Sequence, residues 1–162
     1  MSVSAAIESK CTVTEVLTGN TDSVPAGTRV VTHTAFNETA ALTSATSPPI
    51  TMTANFVQAL AVGVATIDLT SLTGTNGASV DGTGLKVQHF RMKNLGANTM
   101  GITFGAANPY NLAGATFQID LEQNQWWDFY GNDATPDIAG GAKDMDLAGT
   151  TTQTCEISIL MG

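Results

Sequence analysis

The chain has 162 residues, 43% hydrophobic and 12% charged, with a net charge of −8 at pH 7. This length suits one domain with a core of its own, and the apolar share excludes a disordered chain. Six basic residues are too few for a phosphate-neutralising stripe, so nucleic acid is not an expected partner.

The start of the chain carries Glu8 and Lys10 and lacks the apolar run of a signal peptide, which leads us to expect synthesis in a cytoplasm. Over the first 48 residues the alternation is weak, and Ala, Thr and Ser replace larger apolar types. We expect residues 1–48 to be an extended arm with edge strands, and residues 49–162 to be the core of one domain. The arm would find its partners on a neighbouring subunit. Ordinary edge strands of the same sandwich are the other reading.

From residue 50 onward the apolar period is two. Ile50, Met52, Ala54 and Phe56 alternate with Thr51, Thr53 and Asn55, the pattern of a half-buried strand. Residues 59–69 are apolar on both parities, which predicts a central strand covered on both faces. The stretch is too short for a membrane span and contains Asp68, so no membrane is expected. Asn76-Gly77 and Asp81-Gly82 predict turns with positive φ. Between residues 85 and 95 the parity slips, and one inserted residue near Gln88-His89, a β-bulge, would repair it. Met100, Ile102 and Phe104, then Phe117, Ile119 and Leu121, then Cys155, Ile157, Ile159 and Met161 continue the alternation. No window shows a helical stripe. Strands spaced this way predict an all-β, antiparallel β-sandwich of jelly-roll-like form.

Candidate chemistry is sparse. His33 and His89, the two histidines, each fall in strand-like segments with no nucleophile motif nearby, so catalysis is not expected. Asp133, Asp137 and Asp144 flank a Gly/Ala-rich loop. A Ca²⁺ site is one reading of these acids and turn-forming Asp residues the other, and the turn reading is preferred. No metal or other cofactor is expected. Lys86, Arg91 and Lys93 read as solvated strand positions. Asn37-Glu38-Thr39 is a glycosylation sequon that reads as a chance match. Cys11 and Cys155 would meet if the terminal strands paired; buried free thiols are the preferred reading.

The run Gln125-Trp126-Trp127-Asp128-Phe129-Tyr130 is the most informative segment. On a strand, Trp127 and Phe129 share one face and Trp126, Asp128 and Tyr130 the other. An acid on the second face argues that it is not core, leaving Trp126 and Tyr130 as the candidate binding residues. Three readings stand for them: a subunit interface, a satellite cluster under a loop, or a sugar-stacking platform.

Residues 67–162 resemble small β-sandwich virion proteins of tailed bacteriophages and related viruses, of the head-decoration, cement or fibre-like type. The likeness rests on the strand ending at Lys93-Asn94 and its hairpin, and on Asp146-Leu147-Ala148-Gly149-Thr150 before a last strand at Cys155. Glu122-Gln123-Asn124-Gln125 departs from the Pro-Gly turn common in that group. The resemblance implies a non-enzymatic decoration protein in the virion. Its partners would be the major capsid protein, or another virion protein, and copies of itself, a trimer being favoured. A carbohydrate-binding module on a particle surface, and a tail, fibre or filament subunit, are the alternatives.

Overall fold

A computed structural model describes residues 2–17, 29–104, 107–112 and 116–162. The chain divides into two compact units, Ala5–Ala41 and Met1–Ser4 with Leu42–Gly162. Among the described residues every regular element is a strand.

In the first unit, β1 (Ser4–Leu17) and β2 (Arg29–Thr43) form a two-stranded sheet. Among the described residues they pair with each other.

The second unit is an antiparallel β-sandwich. Its main strands are β3 (Met52–Ala59), β4 (Val64–Asp68), β7 (Val87–Asn94), β8 (Met100–Phe104), β9 (Phe117–Leu121), β10 (Trp126–Tyr130), β11 (Asp144–Ala148) and β12 (Thr154–Met161). A small hairpin of β5 (Leu72–Thr73) and β6 (Ser79–Val80) precedes β7. One sheet has the order β10-β7-β12-β3 and the other β4-β11-β8-β9. The antiparallel pairs are nested: β3 with β12, β4 with β11, β7 with β10, and β8 with β9 at the centre. A long two-stranded ribbon wrapped across two sheets gives this order, which is that of a jelly roll.

The inner faces meet in one apolar core. Phe90 and Met92 of β7, Ile157 and Ile159 of β12, Ile102 and Phe104 of β8, and Met145 and Leu147 of β11 are all buried in it. Aromatic rings tie the two layers together. Phe90 lies edge-on to Phe104 with centroids 6.1 Å apart, and Trp127 sits 5.8 Å from Phe90 and 5.6 Å from Phe104. Truncating such a ring to Ala typically costs about 3–5 kcal/mol.

The bulge falls where the parity slips. Leu160 pairs with His89 but Met161 pairs with Val87, leaving Gln88 as the extra residue of β7. Gln88 is fully buried, and its Oε1 has no partner among the described residues. Beside the bulge, the Val87 N–H donates to the Tyr110 hydroxyl at 3.0 Å, and that hydroxyl donates to the Pro136 carbonyl at 2.7 Å. Burial pushes the Tyr110 hydroxyl up to about 12.

Two local expectations are corrected. Residues 59–69 are not one central strand: β3 ends at Ala59 and β4 starts at Val64 in the other sheet. Val62 and Gly63 take positive φ at the corner, 54° and 84°, the pattern of a type I′ turn. The run is apolar on both parities because Leu60, Ile67 and Leu69 anchor its two ends in the core, not because one strand is covered twice. In the Asp81-Gly82 turn the positive φ falls on Gly84. Gly82 is needed for close approach instead: a Cβ there would sit 2.8 Å from the Leu69 carbonyl oxygen.

Tyr110→Phe removes one group and orphans two, the Val87 N–H and the Pro136 carbonyl. We expect it to lower unfolding free energy by about 1–3 kcal/mol in urea denaturation, with the fold retained.

Candidate interaction surface

The pleat of β10 and its register on β7 build the surface. Trp127 and Phe129 turn inward and pack against the core, so Trp126, Asp128 and Tyr130 turn outward. Trp126 is 60% exposed and Tyr130 48%. The division of faces expected for the aromatic run is the one observed. At these exposures neither ring is fully covered by the described residues.

The register extends the surface across four strands. Trp126 lies opposite Lys93, which lies opposite Glu156, which lies opposite Val57. The next row runs Asp128, Arg91, Ser158, Asn55, and the third Tyr130, His89, Leu160, Thr53. Val57 is 61% exposed. A shallow depression on this face is lined by Asn55, Val57, Arg91, Lys93, Glu156 and Ser158. Aromatic and aliphatic groups thus alternate with charges of both signs.

Asp128 is the centre of the charge pattern. Its Oδ1 lies 3.8 Å from Arg91 Nε and 3.7 Å from His89 Nε2. Burial holds the His89 imidazole below its ordinary value; Asp128 opposes this and Arg91 adds to it. The opposite outer face differs in character. Asp146 lies opposite Thr66 and Thr103, Asp120 opposite Gly101, and Asp144 opposite Asp68. Burial alone would raise the Asp68 carboxyl, but hydrogen bonds from Lys143 and Thr70 hold it below its ordinary value.

The remaining candidates are dispersed. Asp133 accepts a 2.8 Å hydrogen bond from Ser47, Asp137 pairs with Lys86 at 2.8 Å, and Asp144 lies on β11. Among the described residues no three metal-ligating side chains are gathered. Lys86 is thus paired, not merely solvated. His33 and Asn37 lie on β2, and their side chains fall outside the described residues. Cys11 is exposed and Cys155 buried, and both are free. The strand neighbours of β12 are β7 and β3, so Cys155 is not carried to a paired terminal strand. Burial pushes its thiol up to about 12.

One cluster escaped the sequence reading. Asn94 is fully buried; its Nδ2 donates to the Asn98 and Leu121 carbonyls at 2.8 Å each, and its Oδ1 accepts from the Gly96 N–H at 2.8 Å. Gln153 also reaches this group, donating to Asn94 Oδ1 at 3.3 Å and accepting from the Thr150 N–H at 3.0 Å. Lys93-Asn94 and the turn ending at Thr150 are thereby joined at one end of the sandwich. A buried amide this well satisfied stiffens the loops around it. The sequence signal was the short, chargeless Asn-Leu-Gly-Ala-Asn segment after a strand.

No family model, curated protein or solved structure matches the chain.

Two measurements check this geometry. With its folded value lowered, His89 stays neutral in the native state while the unfolded chain takes up a proton. Its contribution is therefore intact above the ordinary histidine range and lost as pH falls through it. The melting temperature is expected to drop between pH 7.5 and 5.5, and His89→Gln to flatten that drop. A maleimide is expected to label Cys11 in the native protein and Cys155 only after denaturation.

Proposed function

We propose that this protein is a non-enzymatic structural component of a virus particle, a decoration or cement protein that binds the capsid lattice and copies of itself. Two exposed aromatics on one sheet face carry the reading. Trp126 and Tyr130 lie four residues apart on one strand, about 14 Å, with Val57 across the sheet. Large aromatics left outside a core are the anchors that protein interfaces use. The low charge of the whole chain supports the same reading, because a free surface normally carries more.

Magnitudes favour a repeated contact over a solitary one. Covering roughly 100 Å² of each ring yields about 5 kcal/mol in total at about 25 cal/mol per Å². Association costs about 4–15 kcal/mol, so one copy's face holds weakly. A lattice that presents the same site many times turns such contacts into avidity. The capsid protein or another virion protein is the proposed partner, with the virion as the proposed location.

A sugar platform is the second reading. Asp128 and Arg91 place hydrogen-bonding groups between the two rings, an arrangement that would suit a carbohydrate stacked on Trp126 or Tyr130.

Co-sedimentation with capsids of the encoding virus separates the two. Wild-type protein is expected to pellet with capsids, and Trp126→Ala to weaken this about tenfold or more with an unchanged melting temperature. Failure of the wild type to bind capsids, with glycan-array binding that Trp126→Ala abolishes, would overturn the structural reading in favour of the sugar platform.

A further inference from the structure

The hairpin of β1 and β2 has only two strands, so among the described residues one edge of β1 has no strand beside it. A two-stranded ribbon is marginal in water. Unpaired N–H and C=O groups along an edge are a template for another strand. None of the described residues of this unit belongs to the buried core cluster, and Cys11 and Val13 are exposed on the same side of β1. A further strand on that edge would complete the sheet.

From Ser4 to Thr14 the residues of β1 are their own complement, and Glu15, Val16 and Leu17 lie beyond the paired stretch. Ala5, Ile7, Ser9, Cys11 and Val13 share one face and carry no charge, while Glu8 and Lys10 lie on the other. We propose that β1 pairs antiparallel with β1 of a second copy about a two-fold axis at Ser9. Glu8 then lies opposite the second copy's Lys10, and Lys10 opposite the second copy's Glu8. On the apolar face Ile7 meets the second copy's Cys11, and Ala5 meets the second copy's Val13, large against small in each case. Ser4 and Thr14 close the ladder, which stays within the strand.

Neighbouring registers fail this test. A shift by two residues one way sets Glu8 against its own copy, and the other way Lys10 against its own copy; like charges directly opposite are destabilising. A shift by one opposes the apolar face to the charged face. The contact produces a continuous four-stranded sheet, β2-β1-β1-β2, and its two-fold symmetry closes it against further growth along that edge. It joins copies in pairs, so a trimer would need a separate contact. This inference goes beyond the capsid-binding reading and uses none of the residues of the outer sheet face.

The test is charge reversal in the full chain, read by sedimentation equilibrium. Glu8→Lys and Lys10→Glu are each expected to raise the dimer dissociation constant about tenfold, since each places like charges in two symmetric pairs. The double reversal is expected to restore the constant to within about threefold. Ser9→Cys combined with Cys11→Ser is expected to form an inter-copy disulfide on mild oxidation. A chain that stays monomeric at ~100 µM, a double reversal as weak as the singles, or no Ser9→Cys cross-link in the dimer would each overturn the proposal. Trp126→Ala is expected to leave dimerisation unchanged, so loss of capsid binding and loss of pairing are read separately.

Discussion

The pleat of β10 is the constraint on which the surface depends. Successive side chains of a strand face opposite ways, so burying Trp127 and Phe129 obliges Trp126, Asp128 and Tyr130 to face out. Trp127 is locked among Phe90, Phe104 and Phe117, and β10 is paired along its whole length with β7. The outward set cannot be withdrawn without moving the core. The backbone beneath the two exposed aromatics is thereby fixed, and only their side-chain rotamers are left to be ordered by anything that covers them.

The bulge at Gln88 sets the other end of the same sheet. By absorbing one residue it lets Val87 and Phe90 both turn inward, although they lie three positions apart. It also diverts the Val87 N–H to Tyr110. Three positions on, Arg91 meets Asp128 in the register that makes the mixed-charge row. Were Gln88 held in regular alternation after an inward Val87 instead of in a bulge, His89, Arg91 and Lys93 would face in and the outer face would lose its cations. The composition of the surface and the stability of the core are thus consequences of one register.

The two outer faces of the sandwich divide the scarce charges unequally. The face with Trp126 carries Arg91, Lys93 and His89 beside Asp128 and Glu156, whereas the face of β4, β11, β8 and β9 carries Asp68, Asp120, Asp144 and Asp146, with Lys143 next to it in sequence. With 12% charged residues, the chain has few charges to spread over either face. The acidic face repels another acidic surface. The mixed face does not, so it is the side on which close approach meets least electrostatic resistance.

Much of the architecture was legible in the chain itself. Strict alternation in residues 50–56, 100–104, 117–121 and 155–161 determined strands, and the parity slip near Gln88 determined a bulge, because a side-chain period of two leaves no other way to keep both ends in the core. The outward aim of Trp126 and Tyr130 followed from the acid between them. Residues 59–69 misled, since an apolar run reads alike whether one strand is covered twice or a corner anchors two strands in a shared core. Only tertiary structure decided the nesting of β3 with β12 and β4 with β11, the buried ties of Asn94 to Gln153 and of Tyr110 to Val87, and the row of charges opposite Trp126. Each joins residues far apart in sequence, and local periodicity carries no information about which strand will lie beside which.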